Sequence, residues 1–300
     1  MKPAMKPAMK QVAIVTGAAG GMGSACAHAV SSTVEELLLT DCDEARLATV
    51  AGQLAAESGV TVSTIVGDIG DPEFVSELAA KGAALGALRA LVHTAGVSPS
   101  MAGWRDILRI DLTGADRLLG VLVEHVVPGS VAVCLASISG LMGTFDPEMD
   151  AILDRPLQPD FAEQFRSRFG HEPDSGTTYR LAKRGVIRSC ERAAVAWAAR
   201  GGRVISLSPG LIDTSMGRLE LAENPIKEGL VTLTPLRSAR QGPDTPLPGN
   251  VADIAAAVKF LCSDEAAFIS GCDLRVDGGL IAAMQHQHRD LTMEASAHES

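Results

Sequence analysis

Residues 11–23 read QVAIVTGAAGGMG. A short β-rich apolar run, Gln11–Thr16, stops at glycines, and an alanine-rich helical pattern over Gly23–Ser32 follows. Glycines at such a turn let the chain reverse tightly and let backbone N–H groups approach a pyrophosphate, which then sits on the positive end of the helix. Glycines also serve turn geometry alone, so the weight lies in the context of a strand before and a helix after. A carboxylate is then expected about 20 residues on, at the end of the second strand. Asp41 stands there, after Glu36–Thr40 (ELLLT), and Asp43 is free to cap the next helix in its place.

A carboxylate at that point binds the adenosine ribose hydroxyls and repels a 2′-phosphate. No Arg or Lys occurs in the glycine turn or directly after Asp41. The expected cofactor is therefore NAD rather than NADP. Asp68, followed by Ile69, ends the third apolar run in the same manner and is placed to reach the adenine.

Outward from this turn, apolar runs alternate with helical patterns. Strands are expected at Gln11–Thr16, Glu36–Thr40, Val60–Val66, Ala87–His93, Ser130–Ala136, Arg203–Ser208 and Asp273–Val276. Helices are expected at Gly23–Ser32, Asp43–Glu57, Asp71–Ala84, Trp104–His125, Thr177–Ala199 and Val251–Cys262, the third opened by Asp71-Pro72 as N-cap and first helical residue. Strands that read as nearly continuous apolar runs belong to parallel sheets covered on both faces. The fold class is α/β: one Rossmann-type doubly wound parallel sheet of about seven strands, flanked by helices on both faces. The domain spans residues 11–280, between an N-terminal tail (1–10) and a C-terminal tail (281–300) in which His286 and His288 are solvated. Two proline-bearing segments break the rhythm, at about 143–174 and 211–249. Both follow the C-terminal ends of strands, where open α/β sheets bind ligands.

Composition narrows the function classes. The 300 residues are 46% hydrophobic and carry a net charge of −10. No basic stripe is present to neutralise phosphates, which argues against a nucleic-acid partner. No run of about 18 apolar residues points to a membrane span, and the lysines of the N-terminus lack the apolar segment of a secretory signal. Cys26, Cys42, Cys134, Cys190, Cys262 and Cys272 show no CxxC and no metal-like grouping with His. They are expected to be buried thiols in a reducing cytoplasm, with no metal bound.

Tyr179 and Lys183 lie four residues apart in a predicted helix and so share one face. Tyr179 is the only tyrosine of the chain. A free phenol has a pKa near ~10, and a neighbouring cation lowers it toward the range useful for proton transfer. With the glycine turn, this pair makes the chain resemble the short-chain dehydrogenase/reductase family from about Gln11 to Leu280. The TGxxxGxG motif of that family matches Thr16, Gly17, Gly21 and Gly23, and YxxxK matches Tyr179 and Lys183. The catalytic serine matches Ser137, three residues before Gly140, and the PG motif matches Pro209-Gly210, with Thr214 following. A C-terminal signature matches Phe260–Asp264 and Val276–Gly279.

The resemblance implies hydride transfer between a nicotinamide and a carbonyl or alcohol carbon. Tyr179 would exchange the hydroxyl proton, Lys183 would lower the phenol pKa and hold the nicotinamide ribose, and Ser137 would bind the substrate oxygen. Gly17, Gly21, Met22, Gly23, Asp41, Asp68 and Ile69 would contact the adenosine and phosphate half of the cofactor. Ala95, Gly96, Pro209, Gly210, Ile212 and Thr214 would contact the rest. The implied partners are a small hydrophobic alcohol or ketone, such as a steroid, terpenoid or alicyclic compound, and further copies of the chain in a dimer or tetramer built through helices 104–125 and 177–199.

Three departures stand out. Thr94-Ala95-Gly96 replaces the usual Asn-Ala-Gly. Asp111, in Asp111-Leu-Thr-Gly114, replaces a catalytic Asn; an ionised Asp accepts hydrogen bonds but cannot donate them, so the pH optimum is expected to shift. Forty-two positions separate Ser137 from Tyr179, a longer interval than most of the family has and comparable with that of some bacterial hydroxysteroid dehydrogenase/carbonyl reductases. The extra residues are expected either to form a lid, with Phe145, Phe161, Phe165 and Phe169 lining a substrate pocket, or to alter the subunit interface beside the Tyr179 helix. Phe161, Phe165 and Phe169 also have the spacing of a core-facing stripe. Rival functions are epimerase or dehydratase chemistry on the same fold, and a catalytically weak NAD-binding regulatory protein.

Overall fold

The apolar runs form a single parallel sheet. In chain order the strands are β1 (Gln11–Thr16), β2 (Glu36–Asp41), β3 (Thr61–Val66), β4 (Ala87–His93), β5 (Val126–Leu135), β6 (Arg203–Pro209) and β7 (Asp273–Val276). Their spatial order is β3-β2-β1-β4-β5-β6-β7, so the chain reverses direction across the sheet between β1 and β4. The crevice at such a reversal is where doubly wound folds bind ligands. The structure, a computed structural model, describes residues 9–224, 226–242 and 244–286. The N-terminal tail up to residue 8 and His288 lie outside them.

The helices are α1 (Gly21–Ser31), α2 (Glu44–Ser58), α3 (Pro72–Leu85), α4 (Trp104–Ile107), α5 (Ala115–Leu122), α6 (Pro147–Leu153), α7 (Phe161–Ser167), α8 (Ser175–Ala198), α9 (Ser215–Glu223), α10 (Ile226–Leu233) and α11 (Val251–Leu261). On one face of the sheet, Cys26, Val30, Leu47, Leu54, Ile254 and Val258 of α1, α2 and α11 pack against Val15, Leu39 and Val133. On the other, Leu78, Leu118, Val186 and Trp197 of α3, α5 and α8 pack against Ile14, Leu91 and Val204. The central strands are buried on both faces, whereas the edge strand β3 is half-exposed along its length. Asp43, Asp71 and Asp174 accept backbone N–H bonds at the starts of α2, α3 and α8, so local capping chemistry sets these boundaries.

The expected helix over Trp104–His125 is not continuous. After α4 the chain winds as a π-helix over Leu108–Gly114 before α5 resumes. A π turn bulges the helix and is common at functional positions. Here it carries the buried side chain of Asp111 inward. Gly114, at its end, packs so closely that a Cβ there would stand 2.9 Å from the Ile69 carbonyl oxygen. The C-terminal tail also differs from expectation. Residues 280–286 are helical, Leu280 and Ile281 are buried beside Ile138, and His286 is exposed. Four cysteines are buried thiols as expected, but Cys42 and Cys272 are exposed.

The 143–174 segment does not line the cavity beside Ser137. Its helices α6 and α7 pack Met149, Leu153, Phe161 and Phe165 against Ile107, Leu112 and Leu181, forming a separate small core. Phe165 is fully buried, with rings stacked or tilted against Trp104, Phe161 and Phe169. Phe145 lies under the Arg184 guanidinium, 3.7 Å from its ring centroid. The lid reading of these phenylalanines is thereby replaced by the core stripe, because their helical spacing faces α4 and α8 rather than the sheet edge. Ion pairs fix the segment along α8. Arg184 grips Asp150 through two bonds of 2.5 Å, while Arg188 and Arg192 bind Asp154. That side of α8 is therefore covered within the chain. Phe165→Ala removes a buried ring and is expected to cost about 3–5 kcal/mol in a denaturant titration, with the variant's cofactor binding retained.

Candidate active site

The glycine turn, Asp41, Asp68, Ser137, Tyr179 and the Pro209–Thr214 stretch border cavities at the C-terminal edge of the sheet. Two of the cavities there are bordered by the glycine turn. The first is lined by Thr16, Gly17, Asp41, Asp68 and Ile69, with Ala95 and Gly96 on the β4 side. The second holds Met22, Ser137, Tyr179, Pro209 and Gly210, with Ile212 and Thr214 where the chain enters α9. It offers about 700 Å³ of atom-free space, part of it open to solvent.

The turn itself is shaped for close approach. Gly17 has φ +67, and a Cβ there would stand 2.6 Å from the Ala95 nitrogen. A Cβ on Gly23 would fall 2.0 Å from the Gly17 oxygen. Gly20, which precedes α1, gives no side-chain cap, and the first turn of α1 holds no acidic residue. The leading N–H groups of α1 are thus left for an anion. Asp41 does not cap α2, since Asp43 accepts from the Arg46 N–H instead. Asp41 accepts from the Ala19 N–H at 2.9 Å and from the Asp43 N–H at 3.1 Å, which ties the end of β2 to the glycine turn. Asp68 is partly engaged, accepting from Gly70 N–H and from Arg109 at 2.7 Å each. This set, an uncapped glycine-lined helix start beside a carboxylate, fits a dinucleotide.

The second cavity is built on α8. A Cβ on Gly140 would stand 2.7 Å from the Lys183 carbonyl carbon and from the Arg184 nitrogen, so the serine loop rests directly on the α8 backbone. Ser137 and Tyr179 line this cavity together, and the serine hydroxyl acts to lower the phenol pKa. The Lys183 ammonium lies 5.5 Å from the Tyr179 ring centroid and 3.1 Å from Asp111 Oδ2. It also donates to the Leu135 carbonyl at 3.4 Å. Asp111 accepts from the Val97 N–H at 2.8 Å, which joins the π turn to the loop after β4.

The electrostatics correct one expectation. Tyr179 is pushed up to about 12 rather than down. Burial of the phenol is the largest cause, and the Asp111 and Glu220 charges add to it, while Lys183 and the Ser137 hydroxyl pull the other way. Burial works most strongly against the charge of Lys183, but Asp111, Tyr179 and Glu220 together outweigh it and hold the lysine above its ordinary value. Asp111, also buried, lies above the usual carboxylate range despite Lys183 and the Val97 N–H.

Four further side chains reach this region that the sequence motifs did not mark. His93 ends β4, fully buried, 2.7 Å from Thr16 Oγ1; burial and the nearby Lys183 push it down to about 3, so it is neutral. Arg46 donates to the Ala19 carbonyl at 3.0 Å, bringing a cation to the glycine turn that its place beyond Asp43 in the chain does not announce. Glu220 and Lys227, on α9 and α10, form an ion pair within the second cavity. Thr214, expected at the nicotinamide end, uses its hydroxyl to cap α9, while its methyl lies over the glycine turn near Gly21.

Comparison with known proteins bears on the family and the fold. Residues 11–146 match a family model described as short chain dehydrogenase, and residues 169–281 match one described as enoyl-(acyl carrier protein) reductase. The chain is 30% identical to a galactitol 2-dehydrogenase (L-tagatose-forming) from Cereibacter sphaeroides, over 89% of this chain and 93% of that protein. It is 28% identical to a cis-4-hydroxycyclohexanecarboxylate dehydrogenase from Sinomonas cyclohexanicum, over 91% and 97%. A solved short-chain type dehydrogenase/reductase from Mycobacterium ulcerans superposes with a TM-score of 0.72 at 22% identity, over 91% of this chain and 90% of that one. No helix of the described residues is long and apolar enough to cross a membrane. With a parallel sheet reversing between β1 and β4, a glycine turn at that reversal, and family matches over most of its length, the chain belongs to the short-chain dehydrogenase/reductase family, whose members use a nicotinamide cofactor to act on alcohols and ketones.

Proposed function

We propose that the protein is an NAD-dependent oxidoreductase interconverting a secondary alcohol and a ketone, with Tyr179, Lys183 and Ser137 as its catalytic residues and Asp111 as a positioning residue. The observation that carries this reading is the meeting of the chain's one phenol with a serine hydroxyl and a buried ammonium beside a glycine-lined crevice. The nicotinamide cofactor supplies or takes up the hydride. The protein's own share is position and proton transfer. Ser137 donates to the substrate oxygen and steadies charge developing on it. Tyr179 takes the hydroxyl proton during oxidation and returns it during reduction. Lys183 opposes the burial that holds the phenol neutral, and would hydrogen-bond the nicotinamide ribose. Asp111 in turn holds Lys183 in place through the 3.1 Å pair.

Asp41 supports NAD as the cofactor, since its carboxylate borders the first cavity and is already oriented by two N–H bonds. Arg46, a cation beside the turn, has its guanidinium engaged by the Ala19 carbonyl. Met22, Met142, Met216, Leu211 and Leu230 offer an apolar surface to the body of a substrate, which supports a largely hydrophobic alcohol. Methionines adapt their shape to such ligands.

Three measurements test this reading. Tyr179→Phe is expected to lower kcat for alcohol oxidation by on the order of 10²–10⁴-fold while leaving dinucleotide affinity near that of the parent; full turnover in that variant overturns the proton-transfer role. Asp111→Asn removes a negative charge that raises the phenol pKa. Since oxidation needs the phenolate, the acid limb of its pH–rate profile is expected to move to lower pH; an unmoved limb rejects the coupling. Asp41→Ala is expected to shrink the NAD-over-NADP preference in kcat/KM roughly tenfold or more, the scale of a charge-assisted hydrogen bond, and an unchanged ratio rejects the ribose role.

A further inference from the structure

The cavity beside Ser137 and Tyr179 holds one feature at odds with a wholly apolar ligand. Glu220 of α9 and Lys227 of α10 line it together, with side chains only 14% and 22% exposed. Neither helix carries a fully buried residue of its own among those described. Around the pair stand Met142, Met216, Leu230 and Leu247, so the two charges face space otherwise bordered mostly by carbon and sulfur.

The pair is also close to the chemistry. The Glu220 charge acts on both the Tyr179 phenol and the Lys183 ammonium, raising each. Among the described residues, the hydrogen bonding of these two side chains is the single bond from Lys227 Nζ to Glu220 Oε2. An ammonium has three protons to donate and a carboxylate about four lone-pair positions to accept. Most of that capacity is open to a polar group of a ligand in the cavity. An apolar ligand filling this space would leave the rest of that capacity unmet, which disfavours its binding. A ligand carboxylate would meet the Glu220 charge. A neutral hydroxyl suits both groups, because its O–H donates to Glu220 while its oxygen accepts from Lys227.

We propose that Glu220 and Lys227 form a hydroxyl-reading subsite, so that the substrate is a diol or polyol: a secondary alcohol or ketone bearing a further hydroxyl remote from the reacting carbon. This rests on the reading of the cavity as the substrate site of an alcohol dehydrogenase. It narrows that reading from an apolar substrate to one with an apolar body and a polar far end. A pair that merely held α9 to α10 would affect all substrates alike, whereas a subsite affects the ratio between matched ones.

The test uses the purified full chain with NAD and two probes, cyclohexanol and trans-1,4-cyclohexanediol, which differ by one hydroxyl across the ring. The wild type is expected to prefer the diol in kcat/KM by about tenfold or more, the scale of a hydrogen bond to a charged group. Glu220→Gln and Lys227→Met are expected to bring that ratio down toward the statistical factor of about two that the diol's two equivalent carbinols provide. Lys227→Arg, which keeps the charge and donors, is expected to retain it. Calorimetric titration of the NADH-loaded protein with each alcohol, a pairing that cannot transfer hydride, reads the subsite without turnover. Diol binding in the absence of oxidation therefore upholds the subsite while rejecting the dehydrogenase reading. Cyclohexanol performing as well as the diol in the wild type, a diol preference unchanged in both Glu220→Gln and Lys227→Met, or binding of neither alcohol overturns the proposal.

Discussion

A lysine ammonium and an aspartate carboxylate, 3.1 Å apart and almost closed off from water, connect the parts of the chain that make the site. Lys183 comes from α8, Asp111 from the π turn before α5, and the Val97 N–H that Asp111 accepts from the loop after β4. The same ammonium reaches the Leu135 carbonyl at the end of β5. Removing one member of such a buried pair leaves an uncompensated charge, which typically costs about 3–5 kcal/mol. The π turn follows from this demand. A regular helix over 104–125 would present Asp111 differently; the wider turn carries it inward, and Gly114 lets that turn approach Ile69.

The pair also shapes the balance at Tyr179. Burial raises the phenol to about 12, and the Asp111 and Glu220 charges add to that push. Lys183 is the counterweight, but the field of Asp111 opposes it at the phenol. An asparagine at that position would leave more of the lysine's field for the phenol. His93 stays neutral beneath the same lysine, so it adds no competing positive charge and can hold Thr16 by hydrogen bonding.

Around this core, the two irregular segments take different parts. The 143–174 segment builds a second small core on α4 and α8 and is clamped by the arginines of α8 against Asp150 and Asp154. It buttresses the helix that carries Tyr179 and Lys183. The 211–249 segment, through α9 and α10, supplies a wall of the cavity beside Ser137 and places a charged pair in it. The contrast has a physical origin. Phenylalanines at helical spacing seek a packed face, whereas the short helices α9 and α10 bury none of their described residues fully and can expose polar groups to a ligand.

Much of the fold was legible along the chain, because it depends on local signals. The strand positions follow from apolar runs bounded by turns, the helix starts from Asp43, Asp71 and Asp174, and the cofactor crevice from glycines that a Cβ would exclude. Tyr179 and Lys183 were legible as a pair because four residues make one helical turn. What lay beyond reach were contacts between residues distant in sequence. Lys227 meeting Glu220 depends on how α9 and α10 fold over the sheet edge, and Arg46 reaching Ala19 depends on the angle of α2. The phenol's upward shift was illegible for the same reason. A lysine four residues away is visible in sequence, whereas burial, which outweighs it, arises only when the folded chain packs against the ring. The sequence by itself determined which groups the protein brings to its chemistry; the tertiary structure decided how much water they see and which charges they face, because desolvation and Coulomb interaction are set by distance in space rather than along the chain.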